Sequence, residues 1–147
     1  MKKLLLTVGL MSFSISTFAA LNQWTVSKAG ENIKYSISNG QSQEVAIICM
    51  PNDDNYRDIH EGEDGAWFIY ASRKAITALT FKINKRKFDL RIPIFLEDGR
   101  EEWNKFIHQI STAKSFEVYN GSFKLGTFEL KQANSELIRK RFLNCKY

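Results

Sequence analysis

Residues 115–130 read SFEVYNGSFKLGTFEL. Two runs of alternating apolar and polar residues flank Asn120-Gly121, a pair suited to a tight turn because both residues tolerate positive φ. A two-residue loop there pairs Val118 with Phe123 and Phe116 with Leu125, apolar on apolar, and sets Glu117 opposite Lys124 on the other face. The stretch is predicted to be an antiparallel hairpin with one face in a core, and Thr127 to Leu130 continue its second strand.

Working outward from this hairpin, helices lie on both sides. Upstream, Trp103, Phe106, Ile107 and Ile110 fall at i, i+3, i+4 and i+7, the spacing of one buried helical stripe. Asp98 is the expected cap, Glu101 and Glu102 suit the positive end of the helix, and Ala113 closes it. Downstream, a helix capped by Asn134 is expected to turn Leu137, Ile138, Phe142 and Cys145 to one face, with Arg139, Lys140 and Arg141 near its C-terminal end.

The first half of the chain carries strand periodicity. Trp24, Val26 and Lys28 alternate with Thr25 and Ser27, and Ile33, Tyr35 and Ile37 alternate with Lys34, Ser36 and Ser38. At Asn39-Gly40 a two-residue loop would set Tyr35 opposite Glu44. A three-residue loop over Asn39 to Gln41 instead pairs Tyr35 with Val45 and Ile33 with Ile47, and is preferred. Val45 to Met50 reads as a central strand ended by Pro51. Residues 51–65 read as a polar loop. Trp67 to Tyr70 and Ile76 to Ile83 read as strands, Asn84-Lys85-Arg86 as a basic turn, and Phe88 to Ile92 as a strand ended by Pro93. The expected class is α+β: a mainly antiparallel sheet with two helices and one disulfide.

The ends of the chain set its expected location. Lys2 and Lys3 precede an uncharged, mostly apolar stretch from Leu4 to Phe18, and Thr17 and Ala19 occupy the small-residue positions of a cleavage site. Residues 1–19 are read as a signal peptide cut after Ala19, in preference to a cut after Ala20. The apolar stretch is shorter than the roughly 20 residues that span a bilayer, and no Cys follows the cut to carry a lipid. Residues 20–147 then form a single periplasmic domain. Cys49 and Cys145 are 96 positions apart, and in an oxidising compartment such an isolated pair is expected to form a disulfide. Closing a loop of that order contributes about 4–5 kcal/mol by chain-entropy reasoning.

The full chain carries a formal charge of +5, unevenly spread. Asp53, Asp54, Asp58, Glu61, Glu63 and Asp64 stand against Arg57 alone, and the next segment holds Arg73, Lys74, Lys82, Lys85, Arg86, Lys87 and Arg91 against Asp89. Opposite charge in neighbouring segments favours oriented docking on a charged partner. The partner-binding candidates are therefore the basic hairpin residues Lys82, Lys85, Arg86, Lys87 and Arg91, and the acidic residues Asp53, Asp54, Asp58, Glu61 and Glu63. The aromatics interleaved among the basic residues, Phe81 and Phe88, read as core. With export, this favours an acidic protein surface or an anionic envelope polymer over nucleic acid.

Catalytic and metal chemistry find little support. A calcium-loop pattern begun at Asp53 fails, with Arg57 at the fifth position and Asp58 where Gly is needed. His60 and His108 lack a second His or Cys at zinc spacing, so no metal and no cofactor are expected. His60 with Glu61, or Asp53 with Glu63, could form an acid–base pair only in a cleft that nothing in the sequence supplies. No nucleophile-elbow, P-loop or dinucleotide fingerprint occurs.

The run Phe106 to Val118, the strand Gly126-Thr127-Phe128-Glu129-Leu130 and the final stretch Leu137 to Cys145 follow the order helix, strand, F-x-L strand, helix ending in Cys. With Trp24-x-Val26 and Cys49 at a strand end, this layout resembles small secreted proteins of the VasI/TagO type, associated with type VI secretion, and of the invasion-associated locus B group. That resemblance implies an accessory or virulence role in the envelope. In size, leader, basicity and lack of catalytic motifs the chain is also similar to periplasmic bacteriocin immunity proteins, such as the one that protects against pesticin. The reading that follows is a non-enzymatic periplasmic binder, an immunity or inhibitor protein for an envelope-acting toxin or muramidase. The accessory role and a small hydrolase using the acidic loop are the alternatives. A second copy of the chain is a further partner class, and no membrane-spanning segment is expected in the mature chain.

Overall fold

A computed structural model describes residues 21–50, 64–70 and 75–147. The leader segment, the acidic residues Asp53 to Glu63 with His60, and Arg73 and Lys74 lie outside the described residues. Two antiparallel sheets and two helices make an α+β fold. The first sheet runs β1 (Thr25–Ala29), β2 (Asn32–Ser38), β3 (Gln43–Cys49), β4 (Gly65–Tyr70) and β5 (Ala75–Ile76), in that spatial order. The second contains β6 (Thr80–Ile83), β7 (Arg86–Asp89), β8 (Ser115–Asn120) and β9 (Phe123–Glu129), in the order β7-β6-β8-β9. Helix α1 (Glu97–Thr112) joins β7 to β8, and α2 (Glu136–Leu143) follows β9.

Period two in the strands and 3.6 in the helices deliver the same kind of surface to one interior. Tyr35, Ile37, Val45, Ile47 and Phe68 from the first sheet meet Phe81, Phe88, Phe116, Val118 and Phe128 from the second, all nearly inaccessible. The sheets touch at Trp24 stacked on Phe116, centroids 5.9 Å apart, and at Phe68 edge-on to Phe128 at 6.2 Å. Helix α1 covers the second sheet with the stripe expected of it: Trp103, Phe106, Ile107 and Ile110 are all buried. Helix α2 plugs the first sheet with Phe142, stacked on Tyr35 at 4.3 Å and edge-on to Trp24 at 5.1 Å. The Tyr35 hydroxyl is buried without a hydrogen-bond partner, and burial pushes its pKa up to about 12. Tyr35→Phe removes that unpaired group and keeps the ring, so the variant is expected to match or exceed the parent by about 0–1 kcal/mol in urea denaturation.

Cys49, at the end of β3, and Cys145, just beyond α2, form the expected disulfide. The bonded end of the chain is also held by side chains of α1. The Trp103 indole donates to the Cys145 carbonyl at 2.8 Å, and the Asn104 amide both accepts from Tyr147 N (2.9 Å) and donates to Tyr147 O (3.1 Å).

Several local expectations are corrected. The β2–β3 loop is three residues long, but it comprises Gly40 to Ser42: Asn39 N–H donates to Gln43 O at 3.0 Å. Tyr35 therefore faces Ile47 rather than Val45, and Ile33 faces Cys49 rather than Ile47. Asn39 decides this. Its Oδ1 accepts from Gln41 N (3.0 Å), while its Nδ2 donates to Gln43 Oε1 (2.7 Å) and to Thr127 O on β9 (3.2 Å). A shift of two keeps every side chain on its face, so the apolar pattern could not detect it.

In the β8–β9 hairpin Asn120 pairs with Phe123, which leaves Gly121-Ser122 as the loop, and a register shift follows between Val118 and Tyr119. Phe116 thus opposes Phe128, stacked at 5.1 Å, rather than Leu125. Without the extra residue Phe116 would face polar Thr127; the bulge restores the buried face. Phe123, expected opposite Val118 in the core, is left 77% exposed.

The stretch Ile76–Ile83 is two strands in different sheets, β5 and β6, because the chain crosses between the layers at Thr77 to Leu79. The basic turn is Asn84-Lys85 alone, both at positive φ (50° and 69°), with Arg86 already paired to Ile83. Neither expected N-cap serves. Leu96 precedes α1 without a side-chain cap bond, and Asp98 lies within the first turn. Ser135 caps α2 through Ile138 N, while Asn134 donates to the Ser111 carbonyl at the end of α1 (2.8 Å). Leu137, expected on the buried face of α2, is 58% exposed.

Gly99 is the position where α1 can least tolerate a side chain. A Cβ there would overlap the Pro93 carbonyl oxygen and lie 2.6 Å from its carbon. Gly99→Ala is expected to cost about 1–3 kcal/mol, seen as a lower melting temperature, and to push the Ile92–Pro93 backbone off the helix.

Candidate functional site

The basic hairpin divides into two groups of side chains. Lys82 points across the second sheet to Glu117 at 3.7 Å, and Glu117 is also bonded by Lys124 and by the Tyr119 hydroxyl (2.7 Å). Arg91 grips Asp89 through two nitrogens, Nε at 2.7 Å. Lys82 and Arg91 are thus committed within the chain. Lys85, Arg86 and Lys87 are exposed, and the Arg86 guanidinium lies over the Phe88 ring, 4.8 Å from its centroid. Phe81 and Phe88 are both fully buried, as expected of them. His108 is exposed on α1.

Of the acidic run, Asp64 alone falls among the described residues, and it is buried rather than solvated. Its Oδ1 accepts from Met50 N at 2.8 Å and its Oδ2 from the Tyr147 hydroxyl. It holds the C-terminal segment against the end of β3.

The bonds to Lys124 and Tyr119 draw Glu117 from its ordinary value of 4.5 down to about 2. A carboxylate depressed on folding contributes stability above its unfolded-chain pKa and loses it as pH falls through the folded value. Melting curves of the parent and of Glu117→Gln should differ above about pH 5 and converge towards pH 2. A constant gap across that window would refute the linkage.

Two grooves flank α1. The first, of about 220 Å³, opens between the sheets where the chain leaves β5, and is lined by Ala66, Trp67, Leu90, Ile94 and Trp103. Its lip is the segment Ile92-Pro93-Ile94-Phe95, with Leu96 next in the chain. Ile92, Phe95 and Leu96 are 38%, 57% and 49% exposed, an apolar cluster at the surface. Along the same groove β5 pairs only with Phe68 and Ile69, so among the described residues no strand covers the outer edge of Gly65 to Trp67. Phe88 to Ile92, expected as one strand ended by Pro93, is strand only as far as Asp89, and the lip follows beyond it. The available signal was a run of large apolar residues matching neither period two nor 3.6.

The second groove, of about 360 Å³, lies between the β6–β7 hairpin, α1 and the segment after α2. Arg86, Lys105, His108 and Lys146 line it, with Glu101 as the one carboxylate and Asn104 and Gln109 between them. Glu101 is engaged by Lys105. Residues 60 positions apart in the sequence, Arg86 and Lys146, therefore share one surface. Among the described residues no group of three or more His, Cys, Asp or Glu side chains could hold a metal ion, and no helix is long and apolar enough to cross a membrane.

These features define a disulfide-closed, two-sheet α+β domain with an apolar groove on one side of its main helix and a basic groove on the other. The family model described as YfjT matches residues 22–137, and the chain belongs to this family. It is 24% identical over 143 residues to "Uncharacterized protein YkfB" of Escherichia coli (strain K12), covering 93% of this chain and 90% of that protein. It is 23% identical over 140 residues to "Uncharacterized protein YfjT" of the same organism, covering 91% of this chain and 87% of that protein. No solved structure matches the chain.

Proposed function

We propose that the chain acts in the periplasm as a non-enzymatic protein-binding domain, an inhibitor or immunity protein that blocks an envelope-attacking toxin or muramidase. The observation that carries this reading is the exposed cluster of Ile92, Phe95 and Leu96 beside the inter-sheet groove. Large side chains left in water cost hydrophobic stabilisation, and a cluster of them next to a concave apolar surface is the usual mark of a protein contact. The leader pattern of residues 1–19 supports export, and the disulfide suits an oxidising compartment.

The test uses the mature chain, residues 20–147, against a panel of peptidoglycan-cleaving enzymes and bacteriocins. Near-stoichiometric inhibition of one of them is expected, lost in Phe95→Asp without a fall in melting temperature. Peptidoglycan cleavage by the purified chain alone would replace the inhibitor reading with the hydrolase one. Inhibition untouched by Phe95→Asp would remove the apolar lip from it. Mass spectrometry of native material should find an N-terminus at Ala20 and no free thiol.

A further inference from the structure

The groove between the β6–β7 hairpin and α1 combines basic side chains with an unusually fixed frame. Phe88, beneath the Arg86 guanidinium, is itself packed on Phe106 of α1 at 6.1 Å. Asp89 N donates to Glu102 Oε1 on α1 at 3.3 Å, so strand and helix hold one spacing. On the other wall, the Asn104–Tyr147 bonds and the Cys49–Cys145 disulfide hold the backbone that carries Lys146.

We infer that this groove receives an acidic segment of the protein partner, an extended stretch in which Asp and Glu side chains alternate with neutral ones; the inference rests on the binding reading above. An arginine fork accepts a carboxylate through two parallel hydrogen bonds. A cation-π seat already restricts the Arg86 side chain, so less freedom is lost when it binds. Glu101 and Lys105 are engaged with each other, so that side of the groove adds no net charge and still shows an exposed carboxylate. A uniformly charged polymer gains nothing along that pair. A protein segment of mixed composition can set a neutral residue beside it and its carboxylates against Arg86 and His108.

The probe is a fluorescent ten-residue peptide alternating Asp or Glu with Gly or Ser, titrated into the disulfide-intact mature chain and read by anisotropy. Saturable one-site binding is expected in low salt. It should fade as the Debye length shrinks from about 10 Å at 0.1 M to about 3 Å at 1 M. Arg86→Glu and His108→Glu should each weaken it about tenfold, while Lys140→Glu on α2, which changes charge equally away from the groove, leaves it within about twofold. All three residues are exposed, and equal melting temperatures confirm intact folds. Equal weakening by all three variants, or no binding, overturns the inference. So does tighter Arg86-dependent binding of inorganic polyphosphate, which would assign the groove to a phosphate polymer. If Arg86→Glu still inhibits the target enzyme while Phe95→Asp does not, the groove fails and the inhibitor reading stands. If the peptide binds as described but no enzyme is inhibited, the groove stands and the inhibitor reading fails.

Discussion

Replacing Cys49 with Ser should lower the stability of the folded chain by about 4–5 kcal/mol, the largest effect expected from a single substitution. The bond closes a loop of 96 positions, and its loss returns that closure entropy to the unfolded chain. Domains of this size are typically stable by only about 5–15 kcal/mol, so much of the margin disappears. Cys145→Ser should cost the same amount, and the double variant no more than either single one, because all three remove one bond. Urea denaturation with and without reductant measures this: the parent under reducing conditions should fall onto the Cys49→Ser curve. A loss under about 1 kcal/mol would mean that the end of the chain is held mainly by the Trp103 and Asn104 hydrogen bonds and by Asp64.

Phe142→Ala is expected to cost about 3–5 kcal/mol, the range for emptying a fully buried aromatic site. Phe142 is the one residue of α2 that is buried, and it touches both the Tyr35 and the Trp24 rings. Its removal opens a cavity between the helix and the first sheet, and both aromatic neighbours lose a partner. Because the disulfide persists in this variant, the last segment stays tethered while the helix loses its anchor. Hydrogen exchange should then show Glu136 to Leu143 opening well before the sheets. Leu137→Ala on the same helix, at a side chain 58% exposed, should change stability by less than about 0.5 kcal/mol. Similar losses for the two variants would refute the docking of α2 through Phe142.

Charge patterning was informative about the kind of surface and uninformative about its place. Asn84-Lys85-Arg86 was legible as a basic turn, and the strand period that buries Phe88 turns Lys87 outward; Arg86, on the same face as Phe88, stays exposed by lying over its ring. That Lys82 and Arg91 are neutralised by Glu117 and Asp89 could be read only in part: Asp89 lies two residues from Arg91, but Glu117 arrives from another strand. Asp64 reads in sequence as one more acid in a loop, yet it is a buried acceptor, because its partners Met50 and Tyr147 are brought to it by the fold. The apolar lip was invisible for a similar reason. A run such as Ile92 to Leu96 is normally core, and only packing shows which of its side chains find none.

Local chemistry by itself determined most of the strands, the buried stripe of α1, the two turns that follow Asn39 and Asn120 and, with a single pair of cysteines, the cross-link. Each depends on residues within a few positions of one another, or on there being no choice of partner. The tertiary structure alone decided the registers, the division of residues 76–83 between two sheets, the helix caps and the meeting of Arg86 with Lys146. The Asn39 amide that sets one hairpin donates to a carbonyl 88 positions away, and the bulge that sets the other exists to stack Phe116 on Phe128. Shifting a strand by two leaves the apolar pattern unchanged, so period and propensity cannot tell the alternatives apart. Hydrogen bonds and ring contacts between distant segments can.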